Sequence, residues 1–169
     1  MKTPTHLTAT PAELSLTEFE QALICSAEAF YRFAGALLGP DGRRHRLSGA
    51  DCVVLQLLMT AGRPRQASDL MRFANRDDAA NVGYSLKKLI KAGLVEKGPG
   101  TAPRETAYRI TATGQAASAA LVARRRQLIA EPLADLLKSA APLGAASELL
   151  GLVTGLYDRG ARVLTLTDG

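Results

Sequence analysis

A mainly α-helical fold with one small β-hairpin is predicted by three observations. Apolar residues recur at helical spacing along most of the 169-residue chain. A Gly/Pro-rich stretch, Gly98-Pro99-Gly100-Thr101-Ala102-Pro103-Arg104-Glu105, separates two short segments of alternating polarity. The composition is 47% apolar but only 5% aromatic, with no Trp, which calls for a core of Leu, Val and Ala packed between helices.

The segment from Gln66 to Thr111 carries the most specific pattern. Leu70 and Phe73, at i and i+3, give a short helix over Ala67 to Ala74 one face for a core. Asn75-Arg76-Asp77-Asp78 interrupts it, and either Asp77 or Asp78 suits the N-cap of the next helix. In that second helix Val82, Leu86, Leu89 and Ile90 form a buried stripe. Asn81, Tyr84, Ser85, Lys87, Lys88 and Lys91 fill its other faces. Gly93 ends it. Leu94 to Lys97 and Thr106 to Ile110 read as strands, with Tyr108 and Ile110 on one face and Arg104 near the tip of the loop between them. Helix, turn, helix and hairpin in this order make a winged helix-turn-helix. Ser48 is the expected cap of a supporting helix over Ala50 to Met59, and Arg65-Gln66 the expected third strand of the wing.

Charge points the same way. The chain has 21 Lys and Arg against 16 Asp and Glu, a net of +5. Arg63 to Arg109 holds ten basic and five acidic residues, so that segment carries the whole excess. A positive surface on a helix of groove-entering pattern is the electrostatic footprint of a nucleic-acid reader. Lys87, Lys88 and Arg104 are the expected carriers of phosphate affinity. Asn81 and Tyr84, earlier in the helix, are placed to approach base edges, and Arg76, Ser85 and Lys91 complete the candidate set.

Leu86-Lys87-Lys88-Leu89, Gly93-Leu94-Val95, Arg104 and Ile110-Thr111-Ala112-Thr113-Gly114 give residues 47–114 their resemblance to the DNA-binding lobe of the MarR family of bacterial transcriptional regulators. That family often places an Asp two residues before the wing Arg, where this chain has Ala102. The resemblance implies a homodimer on double-stranded DNA, with Arg104 near the minor groove and long terminal helices as the dimerisation layer.

The rest of the chain fits such a layer. Residues 1–14 read as a flexible tail and 15–40 as a long dimerisation helix with Leu16, Leu23, Phe30 and Leu37 every seven residues. Its cap is Ser15 with Glu18 or Thr17 with Glu20, and Gly39-Pro40-Asp41-Gly42 stops it. Its length, roughly 36 Å for about 24 residues, exceeds what the lobe of residues 47–112 can cover. Residues 113–165 supply further dimerisation helices, with Pro132 kinking or splitting the first and a Pro142/Gly144 break before the second at Ala145. The alternative is a bundle of these helices within one chain. Gly42-Arg43-Arg44-His45-Arg46 reads as a basic loop, more often solvated than bound to phosphate.

No constellation for catalysis, metal or cofactor binding is visible. The two histidines, His6 and His45, have no Cys, Asp or Glu cluster about them, and neither a nucleophile elbow nor a phosphate loop occurs. Two unpaired cysteines and the lack of a signal pattern or long apolar run suit a cytoplasmic, nucleoid-associated protein. Cys25 is expected to be an inert helix thiol, with peroxide sensing as its sharper alternative. A small-molecule effector of unknown identity would suit the junction of reader and dimer layer. The reading is thus a DNA-binding transcriptional regulator, a repressor on a pseudo-palindromic operator. The alternative is a winged-helix module that binds protein, favoured by Asp77, Asp78 and Gly83 beside the reading helix.

Overall fold

The computed structural model describes residues 10–75, 79–100, 105–139 and 141–167. The chain divides into two compact units, one ending at Ala123 and one beginning at Arg124.

The first helix, α1 (Pro11–Leu37), opens four residues before the expected Ser15. Thr10 is its N-cap: the Thr10 hydroxyl accepts from the Glu13 N–H at 3.2 Å and the Glu13 carboxylate from the Thr10 N–H at 2.7 Å. Pro11 occupies the first turn, where a missing N–H goes unnoticed. Gly39, at φ 63°, ends α1 by leaving the helical backbone region, and Pro40 starts a short α2 (Gly39–Arg44), so the expected basic loop is helical up to Arg44. Ser48 caps α3 (Gly49–Ala61) through a reciprocal pair with Asp51. α3 crosses α1 at Gly49, where a Cβ would lie 2.0 Å from the Tyr31 carbonyl oxygen; the two backbones meet because no side chain intervenes.

The helix-turn-helix follows as α4 (Ala67–Phe73) and α5 (Ala79–Lys91). Leu70 is fully buried, but Phe73 is 54% exposed, against the expectation that both face the core. The guanidinium groups of Arg65 and Arg72 lie 5.1 and 5.6 Å from its ring centroid, so this aromatic serves as a platform for two cations. Gly93, at φ 72°, ends α5 by letting the Leu94 N–H turn back to the Leu89 carbonyl at 3.0 Å. β1 (Val95–Pro99) pairs antiparallel with β2 (Thr106–Ile110), with Val95 opposite Ile110 and Pro99 opposite Thr106. The ladder thus runs two residues further toward the tip than expected. Arg65 adds a third strand one residue long, exchanging both backbone bonds with Tyr108 at 2.8 and 2.9 Å.

One core joins these elements. Leu37, Val54, Leu55, Leu58, Leu70, Val82, Leu86, Leu89, Val95 and Leu121 form its centre, and Tyr108 and Ile110 of the wing pack on it. Gly114, in α6 (Ala112–Arg125), abuts the Leu94 carbonyl, where a Cβ would come within 2.1 Å.

In the second unit α6 passes into a π-helical turn, Arg126–Ala130, and a break over 131–133 before α7 (Ala134–Leu137). Pro132 splits the helix, one of its two expected effects. The last helix, α8 (Ala141–Thr167), begins before the expected Ala145, because Pro142 sits at its second position, where the N–H is unneeded. Leu149, Leu152, Leu156, Val163 and Leu164 on α8 are exposed, as are Leu16, Ile24 and Phe30 on α1. Among the described residues no helix is long and apolar enough to cross a membrane.

Candidate nucleic-acid interface

α5 is an amphipathic helix whose inner stripe is fixed in the core by Val82, Leu86 and Leu89, each almost fully buried. Fixing that stripe orients every other side chain of the helix. Asn81, Tyr84, Lys87 and Lys91 point outward and are exposed, Tyr84 by 64%. Two other candidates do not point outward. Ser85 is buried, and Lys88 is four-fifths covered on its side chain.

The cause is Asp51, in the first turn of α3. Its carboxylate is 1% exposed and accepts from the Ser48 N–H at 2.7 Å and the Ser48 hydroxyl at 2.9 Å, while the Lys88 ammonium closes on the same oxygen. Burial alone would raise the pKa of this carboxyl. The hydrogen bonds from Lys88, Ser48 and Ser85 outweigh it and hold Asp51 below its ordinary value, so it is a carboxylate at neutral pH. Ser85 and Lys88, both expected at the DNA contact, turn inward instead, because a buried carboxylate needs donors. The Lys88 ammonium also lies 5.5 Å from the Tyr84 ring centroid, steadying that ring on the outer face.

Arg76 and Arg104, and the expected cap residues Asp77 and Asp78, lie outside the described residues. The wing is held at the tip end of its ladder by Gln66, whose side-chain amide donates to Glu105 at 2.6 Å, and near its base by Arg109 paired with Glu96 at 2.6 Å. The charge of Arg109 is therefore balanced within the wing. Cys25 is exposed on α1, and Cys52 is the buried thiol. Burial and the nearby Asp51 charge push the Cys52 thiol up to about 11, which makes it a small apolar side chain in practice. Among the described residues no group of His, Cys, Asp and Glu could hold a metal ion.

Sequence patterns missed Asp51. The Ser48-x-x-Asp51 spacing marks it as a cap partner, but nothing local to α3 says that a lysine 37 residues on will complete the pair.

Comparison with known proteins agrees with this geometry. Residues 47–114 match the family described as winged helix DNA-binding domain. No curated protein matches the chain at a significant level. Among solved structures the chain is similar to a MarR family regulator from Neisseria meningitidis (TM-score 0.65, 20% identity, 86% of this chain and 96% of that one). It is equally similar to the transcriptional regulator BldR from Sulfolobus solfataricus (TM-score 0.65, 19% identity, 85% and 99%). NadR, solved in complex with 4-hydroxyphenylacetate, aligns over 90% of this chain and 98% of its own at TM-score 0.58 and 18% identity. Residues 47–114 thus match a winged-helix DNA-binding domain, and the chain as a whole shares the fold of solved regulators of the MarR family.

Proposed function

We propose that the protein is a MarR-family repressor that binds a pseudo-palindromic operator as a homodimer in the cytoplasm. Each subunit lays α5 into a major groove and brings Arg104 of the wing toward the adjacent minor groove. The observation that carries this is the outer face of α5, where Asn81, Tyr84, Lys87 and Lys91 stand exposed on a helix whose inner face is locked into the core. The exposed apolar side chains of α1 and α8 support a homodimer, since burying them against a second copy removes apolar surface from water. A small-molecule effector belongs to the proposal, and its identity is open. NadR holds 4-hydroxyphenylacetate on a similar fold.

The test separates backbone from base contacts. Lys87→Ala should weaken operator and random duplex alike and lower the log-log salt slope by about 0.9. Asn81→Ala should cost roughly 1 to 3 kcal/mol on the operator, relax preference at one base pair and leave random duplex nearly untouched. If both variants keep wild-type affinity and slope, this face does not read DNA, and a protein-binding role replaces it. Sedimentation at twice 17.9 kDa checks the dimer, and a well-folded monomer would refute it.

A further inference from the structure

Beside α5 lies an open cleft of about 340 Å³ lined by Arg44, His45, Arg46, Tyr84, Lys88 and Lys91. Its walls come from two parts of the chain: the end of α2 and the turn after it, and α5 from Tyr84 to Lys91. Five of the six lining residues are basic types, and the ammonium of Lys88 is taken up by Asp51 behind it. Arg44, Arg46 and Lys91 are exposed, and thus present their charge to whatever enters.

The turn that presents Arg46 is strained. Arg46 has φ 52°, one of only two non-glycine residues with positive φ among the described residues. It is held there by the Arg46 N–H bonding to the Arg43 carbonyl at 3.2 Å and the Leu47 N–H to the Gly42 carbonyl at 2.8 Å. Glycine is the residue that takes this conformation without steric penalty. An arginine in its place, aimed into a basic cleft, suggests a use for the side chain.

We propose that this cleft clamps a phosphate strand of the same duplex that α5 enters, with Arg44, Arg46 and Lys91 as the phosphate contacts. The proposal rests on the reading of α5 as the DNA reader. A helix with its side chains is about 10–12 Å across and the major groove is about 12 Å wide, so the phosphate backbones must run along both flanks of the helix. The cleft is on one flank, and Tyr84 belongs both to it and to the outward face one turn from Asn81. Its chemistry favours phosphate over a small organic ligand. Small-molecule sites are mostly apolar and enclosing, and here Tyr84 is the one lining residue that is not of a basic type.

Arg46→Gly is the discriminating variant, because it removes the charge while relieving the backbone. Affinity for a random-sequence duplex of about three helical turns is measured against salt for the parent, Arg46→Gly, Arg44→Ala and Lys87→Ala. Arg46→Gly should keep or raise the melting temperature and reduce the magnitude of the salt slope by about 0.9. It should thereby lose about threefold less affinity than the parent between 50 and 200 mM salt. Arg44→Ala should do the same to the slope. If both keep the parent slope while Lys87→Ala lowers it, the clamp is refuted and the reader stands. If all three keep it, both fail. Titration with inorganic phosphate and with benzoate supplies the other arm: saturable benzoate binding that vanishes in Arg46→Gly, with an unchanged DNA slope, would make this a small-anion site and overturn the proposal.

Discussion

Replacing Lys88 by Met keeps an unbranched side chain of similar helix propensity, one atom shorter, and removes the ammonium that faces Asp51. The carboxylate left behind is 1% exposed, so water cannot take the place of the ammonium. Removing one partner of a buried pair costs about 3–5 kcal/mol. The donors on Ser48 and Ser85 remain, and Lys88 itself is 19% exposed, which together place the loss near the lower end, about 3 kcal/mol. For a chain of this size, roughly 2–4 °C per kcal/mol predicts a fall in Tm of about 6–12 °C. The sign with pH follows from the carboxyl. In the parent its folded pKa is depressed, so the pair stabilises above the ordinary value of 3.8 and is lost as pH falls through the depressed one. In Lys88→Met burial acts with less opposition and the folded pKa moves up. The gap between the two proteins should therefore be widest near neutral pH and shrink below about 4. Thermal melts across pH read this directly. A second removal, Asp51→Asn together with Lys88→Met, should recover part of the loss, since the stranded charge is gone. A variant melting within about 1 °C of the parent at every pH would show that the pair gives no net stabilisation. Because its charge is already matched by Asp51, Lys88→Met should also leave the DNA salt slope near the parent value, where Lys87→Ala lowers it.

The packing and the thiols yield further expectations. Gly49→Ala should be among the most damaging single-methyl changes in the chain, because its Cβ meets backbone, the Tyr31 carbonyl at 2.0 Å, which cannot rotate away. Denaturant melts should show a loss of about 1–3 kcal/mol or more, and parent-like stability would mean that α1 and α3 slide apart freely. Gly114→Ala should behave alike at the Leu94 carbonyl, 2.1 Å away. In the Cys25→Ser variant the remaining thiol, Cys52, should resist Ellman's reagent until denaturant is added, since it is buried and its pKa is about 11. Rapid reaction in native buffer would contradict that burial.

Much of the fold was legible because each element carries its own local signal. The stripe Val82, Leu86, Leu89 marks α5, Gly93 stops it, and the alternation of Thr106 to Ile110 marks β2. Errors gathered at ends, where several signals compete. Thr10-x-x-Glu13, Ser15-x-x-Glu18 and Thr17-x-x-Glu20 are three competing capping boxes, and only the first has a proline after its cap, at the position where a missing N–H is harmless. Pro11 was thus the tie-breaker. Pro142 misled for the same reason: a proline marks either the end of one helix or the first turn of the next, and the choice depends on the length of apolar pattern after it.

The candidate site was less legible because its side-chain directions depend on a partner distant in sequence. Lys87 and Lys88 are neighbours with the same composition around them, yet about 100° of helical rotation separates them. One faces solvent and the other a carboxylate contributed by α3. Periodicity assigned the apolar stripe correctly, but it treats every polar position as outward, and so it placed Ser85 and Lys88 on the surface together with Tyr84 and Lys91. What separates them is Asp51, which serves at once as the cap partner of Ser48 and as the counter-ion of Lys88. The same carboxylate thereby links the first turn of α3, packed on α1 at Gly49, to the middle of α5. The rotation of α5 about its own axis is consequently fixed from two sides, by apolar burial below and by an ion pair at the flank. A reading helix needs that, because a turn of even one residue position would exchange Tyr84 for Ser85 on the outer face.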